Sequence, residues 1–250
     1  MIKRLSILIA ASLLSTSAFA ADGWTGWYVG ANAGHGSAES ETRTTLGGQW
    51  STESTALRDE VVAQMSDDVD ASGGAYGLQF GYNHDFGGFV LGGELDYSQL
   101  NIDDSSVTGP LATTAFPSLS YTTVNAVELN DQMSLRVKLG YAADRHFIYA
   151  TAGWTRVDVD AAAGIASNGG YAKAGGASDR LDGTQYGLGY EFDFGNQWSI
   201  RGEYLRTNLD DIRYDTVYLP GSAFVTPAYT ETVRQDVDFD TIRIGVNYRF

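Results

Sequence analysis

Acids and bases two positions apart recur along this 250-residue chain: Glu94 with Asp96, Arg136 with Lys138 and Arg201 with Glu203, while Glu191 and Arg243 stand singly in similar surroundings. In an extended strand residues i and i+2 share a face, so each pair presents its charges side by side. Charges removed from water persist only when paired. Four carboxylates facing four cations therefore point to a salt-bridge network, with Gln79 and Asn247 able to bridge its members.

Catalytic chemistry has less to draw on. Of three histidines, His84 and His146 fall in or beside short turns, which leaves His35 with Ser37 or Glu39 as the one pair of nucleophile-and-base character. The acidic runs Asp67, Asp68 and Asp70, then Asp103 and Asp104, then Asp210, Asp211 and Asp215 offer oxygen ligands for calcium or magnesium. They lack the spacing and glycine of an EF-hand loop and read as solvated loop charge. A haem or similar ligand would take His35, Tyr121 or Tyr218 as its axial group, with no pocket motif to support it. There is no phosphate-cradling glycine loop, zinc spacing or nucleophile elbow. The expectation is no catalytic residue, no metal and no cofactor.

The elements that carry these residues alternate strictly. Eight candidate strands cover about 24–36, 73–85, 88–98, 131–142, 146–158, 182–194, 197–208 and 238–250. In the fourth, Met133, Leu135, Val137, Leu139 and Tyr141 oppose Ser134, Arg136, Lys138 and Gly140; in the last, Ile242, Ile244, Val246, Tyr248 and Phe250 oppose Arg243, Gly245 and Asn247. The first (Trp27, Val29, Ala31, Ala33) and fifth (Ile148, Ala150, Ala152, Trp154) are weaker, and their facing is open.

Volume decides which face is inside. The apolar face collects more side chains, many of them aromatic, than an eight-stranded ring can enclose, so it must face outward, into lipid. Aromatics also gather at the strand ends: Tyr82, Phe89, Tyr141, Phe192, Trp198, Tyr248 and Phe250 toward one rim, and Tyr76, Tyr97, Trp154, Tyr186 and Tyr204 toward the other. Two such belts suit the two membrane interfaces. The expected fold is all-β: an eight-stranded antiparallel up-and-down transmembrane barrel with short periplasmic turns and four long extracellular loops. Within the first loop, Leu57, Val61, Val62 and Met65 have near-helical spacing behind Ser54 or Thr55 as a cap.

Residues 1–20 read as an export signal: Lys3 and Arg4, an apolar stretch over 5–14, and a small-residue end with cleavage between Ala20 and Ala21. Residues 21–250 then form one barrel domain. Losing those two bases, with no acid in 1–20, takes the formal charge from −15 to −17, a poor balance for nucleic acid. The absence of cysteine leaves stability to the sheet.

The segments GWTGWYVGANAG, GLQFGYNHDFGGFVLGGELDYS, WSIRGEYLRTNL and RIGVNYRF resemble the OmpA-like, porin-like eight-stranded outer-membrane β-barrel proteins of Gram-negative bacteria. The resemblance implies an integral outer-membrane location with both termini periplasmic. It also implies contact with lipopolysaccharide, and a terminal signal at Phe250 and Tyr248 read by the barrel-assembly machinery. Unlike OmpA itself the chain stops at the last strand, so no cell-wall tether is implied. The expected role is structural and surface-interacting, as a monomer with a plugged lumen. The alternatives are a narrow gated porin for small solutes, and a surface adhesin or ligand receptor, for haem among others, acting through the long loops.

Overall fold

The computed structural model, which describes residues 23–250, joins the alternating segments into one antiparallel sheet closed on itself. The strands β1 (Gly26–Gly48), β2 (Val69–Asp85), β3 (Phe89–Ala112), β4 (Ser120–Ala143), β5 (His146–Ser167), β6 (Ala172–Gly195) and β7 (Trp198–Leu209) pair in chain order. Two short strands follow, β8 (Ile212–Asp215) and β9 (Val217–Tyr218), and then β10 (Tyr229–Arg249). β10 pairs with β7 on one side and with β1 on the other, from Tyr28↔Arg249 to Gly48↔Tyr229. Eight staves thus close a barrel without a free edge.

The apolar stripes face outward. Val137 is 57% exposed while its neighbour Lys138 is fully buried, and Ile242 and Ile244 project outward on either side of buried Arg243. The strands of open facing obey the same rule: Trp27 and Val29 on β1, and Ile148 and Trp154 on β5, point outward, which turns Tyr28 and Tyr149 into the lumen.

The staves are longer than the sequence pattern suggests. β1 runs 23 residues and β3, β4 and β6 run 24 each, so much of what reads as long loop is continuous sheet. The reason is an inversion of polarity along each strand. On β5, outward Ile148 and Trp154 give way to Arg156, Asp158 and Asp160, while inward Thr151 and Thr155 give way to Val157 and Val159. β10 repeats it: outward Ile244 and Ile242 are followed by Asp240, Asp238 and Asp236, over inward Phe239 and Val237. One half of the barrel has an apolar skin and a polar core. The other half is built like a water-soluble sheet, its skin laced by pairs such as Arg156–Asp182 at 2.8 Å and Arg206–Asp240 at 2.7 Å. Only the connections from β1 to β2 and from β7 to β10 remain long.

The first of these holds a 3-10 turn at Gln49–Thr52 and helix α1 (Thr55–Met65), which Ser54 caps by accepting from the Leu57 amide. Leu57, Val61 and Met65 recur at spacings of four and are buried. The helix drops its C-terminal end into the barrel mouth, where Thr44 and Asn125 bond to the Met65 carbonyl and Thr123 to that of Gln64.

Candidate functional site: a charge network across the lumen

The charged residues singled out by spacing converge from β3, β4, β6, β7 and β10 on the lumen of the apolar-skinned half. Glu94 is the centre. It is paired by Arg136 and Arg201, by Lys138 at 2.6 Å, and accepts the Tyr28 hydroxyl at 2.7 Å. Glu203 receives Arg243 Nε and the Tyr149 hydroxyl, each at 2.7 Å. Asp96 takes Arg243 Nη1 at 2.9 Å and the Ser98 hydroxyl at 2.9 Å. The side chains of Glu94, Glu203, Arg136, Lys138 and Arg201 have no solvent exposure.

Such burial is tolerable because the partners are many and the set is balanced. Lys138 lies 4.8 Å from the centres of both the Tyr28 and Tyr149 rings and donates to the Tyr28 hydroxyl at 2.8 Å, so a point charge is held by two π faces, a phenol and a carboxylate. Gln79 does bridge: it accepts from Asn32 at 2.7 Å and donates to Asn247 at 2.8 Å.

Glu191 departs from the expectation. It is buried in the lumen, but its hydrogen bonds come from Ser199 and from Asn247 at 2.9 Å, and no cation lies within ion-pairing distance among the described residues. Arg201 is its directly paired neighbour on β7, but that guanidinium turns away to Glu94 and Glu203. Sequence reasoning also missed Tyr28 and Tyr149. The available signal was that each opposes a glycine, Gly81 and Gly189, across the ladder.

Three further layers stack on this one. Toward the termini, Trp24 and Phe147 pack at 5.2 Å with Val90 beside them. On the far side lies an apolar layer that includes Ile102, Leu129, Val159, Val237 and Phe239 and the buried side of α1. At the loop end, buried Glu231 gathers Trp50, Tyr171, Lys173 and Thr216.

His35, Ser37 and Glu39 share the exposed outer face of β1, and no hydrogen bond joins them among the described residues. The acidic runs do not converge, and the described residues contain no group of three or more such ligands arranged for a metal. Asp67 instead accepts from Ser106 and Thr108 and fastens the end of α1 to β3. Of the axial candidates, Tyr218 is occupied by the Tyr229 amide at 2.8 Å, and Tyr121 is buried. Phe250 is exposed at the end of β10, its amide donating to the Trp27 carbonyl, and Tyr248 packs at a tilt against Trp198 with ring centroids 5.1 Å apart. Ala20 and Ala21 lie outside the described residues.

A barrel with an apolar skin over half its height and a paired charge layer within matches a known family model over residues 6–250, that of the outer membrane protein beta-barrel domain. The chain belongs to that family. It is 28% identical over 98% of its length to the 31 kDa outer-membrane immunogenic protein of Brucella melitensis, covering 99% of that protein. Solved structures that overlap it include OprG of Pseudomonas aeruginosa, at 12% identity, TM-score 0.44 and coverage of 91% of this chain and 97% of that one. The outer membrane protease OmpT of Escherichia coli overlaps at 8% identity, TM-score 0.46 and coverage of 94% and 99%.

Proposed function

We propose that this outer-membrane barrel serves the bacterial envelope as a closed structural and surface-interaction protein rather than as an enzyme or an open channel. The observation that carries this reading is the filling of the lumen. A solute would have to part an aromatic layer, a fully buried ion network centred on Glu94, an apolar layer wedged by α1, and the Glu231 cluster. In this reading cleavage between Ala20 and Ala21 releases a one-domain chain. The short turns and both termini lie in the periplasm, and the loop end faces outward past the lipopolysaccharide. Tyr248 and Phe250 form the signal for the assembly machinery, and the barrel works as a monomer. The name of the Brucella relative is in keeping with an exposed loop end.

A narrow gated pore has one observation in its favour. Arg136 lies 3.8 Å from Glu203 and 4.0 Å from Asp96 as well as touching Glu94, so a change of partners needs little movement. Planar-bilayer recording of refolded protein separates the two. The closed reading expects no steady conductance; unitary openings that disappear in Glu203→Ala or Arg136→Ala would replace it with the pore.

A further inference from the structure

We propose that the loop end carries a binding site for a small organic cation of the quaternary-ammonium type, held in an aromatic corner beside Glu53. The rings of Trp50, Tyr171 and Tyr229 are mutually close to perpendicular. Their planes meet at 77°, 82° and 73°, with centroids 4.9, 6.0 and 5.6 Å apart. Against this corner lies a cavity of about 280 Å³, further lined by Tyr121, Phe116 and Phe224. That volume suits a headgroup-sized ligand, near the lower end of small-molecule sites.

The corner is pre-organised. Glu231 accepts from the Trp50 indole at 2.5 Å and from the Tyr171 hydroxyl, and is neutralised from below by Lys173. Glu53 accepts the Tyr229 hydroxyl at 2.6 Å through one oxygen, and no hydrogen bond reaches the other among the described residues. Burial, with nearby carboxylates, pushes the Tyr121 and Tyr229 phenols up to about 12, so they line the cavity as neutral hydroxyls.

Ring faces carry negative quadrupole and attract cations lacking strong hydration. Glu53 is the single charged side chain on the wall, with no base opposite. An anion would meet repulsion, and a neutral aromatic would cover the carboxylate without compensating it. Phe116 and Phe224, 48% and 62% exposed on two different loops, supply an apolar rim for methyl groups. The site is independent of whether the lumen conducts.

The test titrates choline and tetramethylammonium by calorimetry into full-length mature barrel in maltoside micelles, since a choline-headed detergent would occupy the site. Saturable binding is expected, weakened roughly tenfold or more in Glu53→Gln and in Phe116→Ala. The neutral tert-butyl isostere of choline should bind far more weakly. A second arm compares phosphatidylcholine with phosphatidylglycerol vesicles, to tell a lipid headgroup from a free cation as the source. Heat-dependent gel mobility verifies that each variant is folded. Absence of saturable binding, equal affinity for the isostere, or unchanged affinity in folded Glu53→Gln would overturn the proposal.

Discussion

Tyr149 lies over Gly189, its directly paired neighbour on β6, and a Cβ added to that glycine would occupy the volume of the tyrosine ring. Tyr28 stands in the same relation to Gly81. The two glycines let the rings lie flat on the inner wall, where Tyr149 reaches Glu203, Tyr28 reaches Glu94, and Lys138 sits over both. Gly189→Val should therefore unseat Tyr149 and cost about 1–3 kcal/mol by overpacking. Urea unfolding of the barrel in lipid vesicles measures it; Gly93→Val, where nothing lies near the added atom, should cost less.

Glu94 is the carboxylate shared by Arg136, Arg201 and Lys138. Glu94→Gln keeps its shape and leaves the lumen with one uncompensated positive charge, a loss expected near 3–5 kcal/mol. Pairing it with Arg136→Met should recover part of that loss. A double-mutant cycle from the same unfolding experiment reads the coupling.

Val137 presents its side chain to lipid, and lysine there should cost about 2–4 kcal/mol in vesicle unfolding. The polar, lumen-facing alternation of β4 suggests that Ser134 would accept lysine more readily, but its environment says otherwise. Ser134 is fully buried, its hydroxyl 2.9 Å from that of Thr155, on the same strand face as Arg136. Asp96, its cross-strand neighbour, is already bonded to Arg243 and Ser98, and the packed lumen leaves a lysine no room, so Ser134→Lys should be at least as damaging.

At the loop end, burial raises the carboxyl of Glu231, but hydrogen bonds from Lys173, Thr216, Tyr171 and Trp50 outweigh it and leave the group below its usual 4.5. A carboxylate depressed by folding contributes stability above its unfolded value and loses it as pH falls through the folded one. Trp50 fluorescence should thus hold steady down to about 4.5 and change at lower pH. In Glu231→Gln that acid step should vanish.

The membrane half was legible because hydrocarbon outside and charge inside give a period of two with large contrast, as in Val137 against Lys138. Every lumen charge named from spacing is buried, and only Glu191 lacks the expected ionic partner. Helix α1 was legible too, from Leu57, Val61 and Met65 and from the Ser54 cap. The upper half was not. There Val157 and Val159 face in and Asp158 faces out, so the alternation persists with its meaning reversed and reads as loop to a search for apolar outer stripes. The Glu231 cluster was hidden for another reason: Trp50, then Tyr171 with Lys173, and then Thr216 meet it from three separate segments, which no local spacing records.

The reversal along β5 and β10 gives each stave a boundary at the level of Trp154 and Ile242. Beyond Trp154, β5 continues to Ser167, roughly 43 Å along the strand at about 3.3 Å per residue. The loop tips are thereby carried on a stiff stalk clear of the headgroups. Mutational tolerance should follow the same boundary: below it a new charge, beyond those of the paired lumen network, is admitted on neither face of a stave, and above it every second position becomes free to vary.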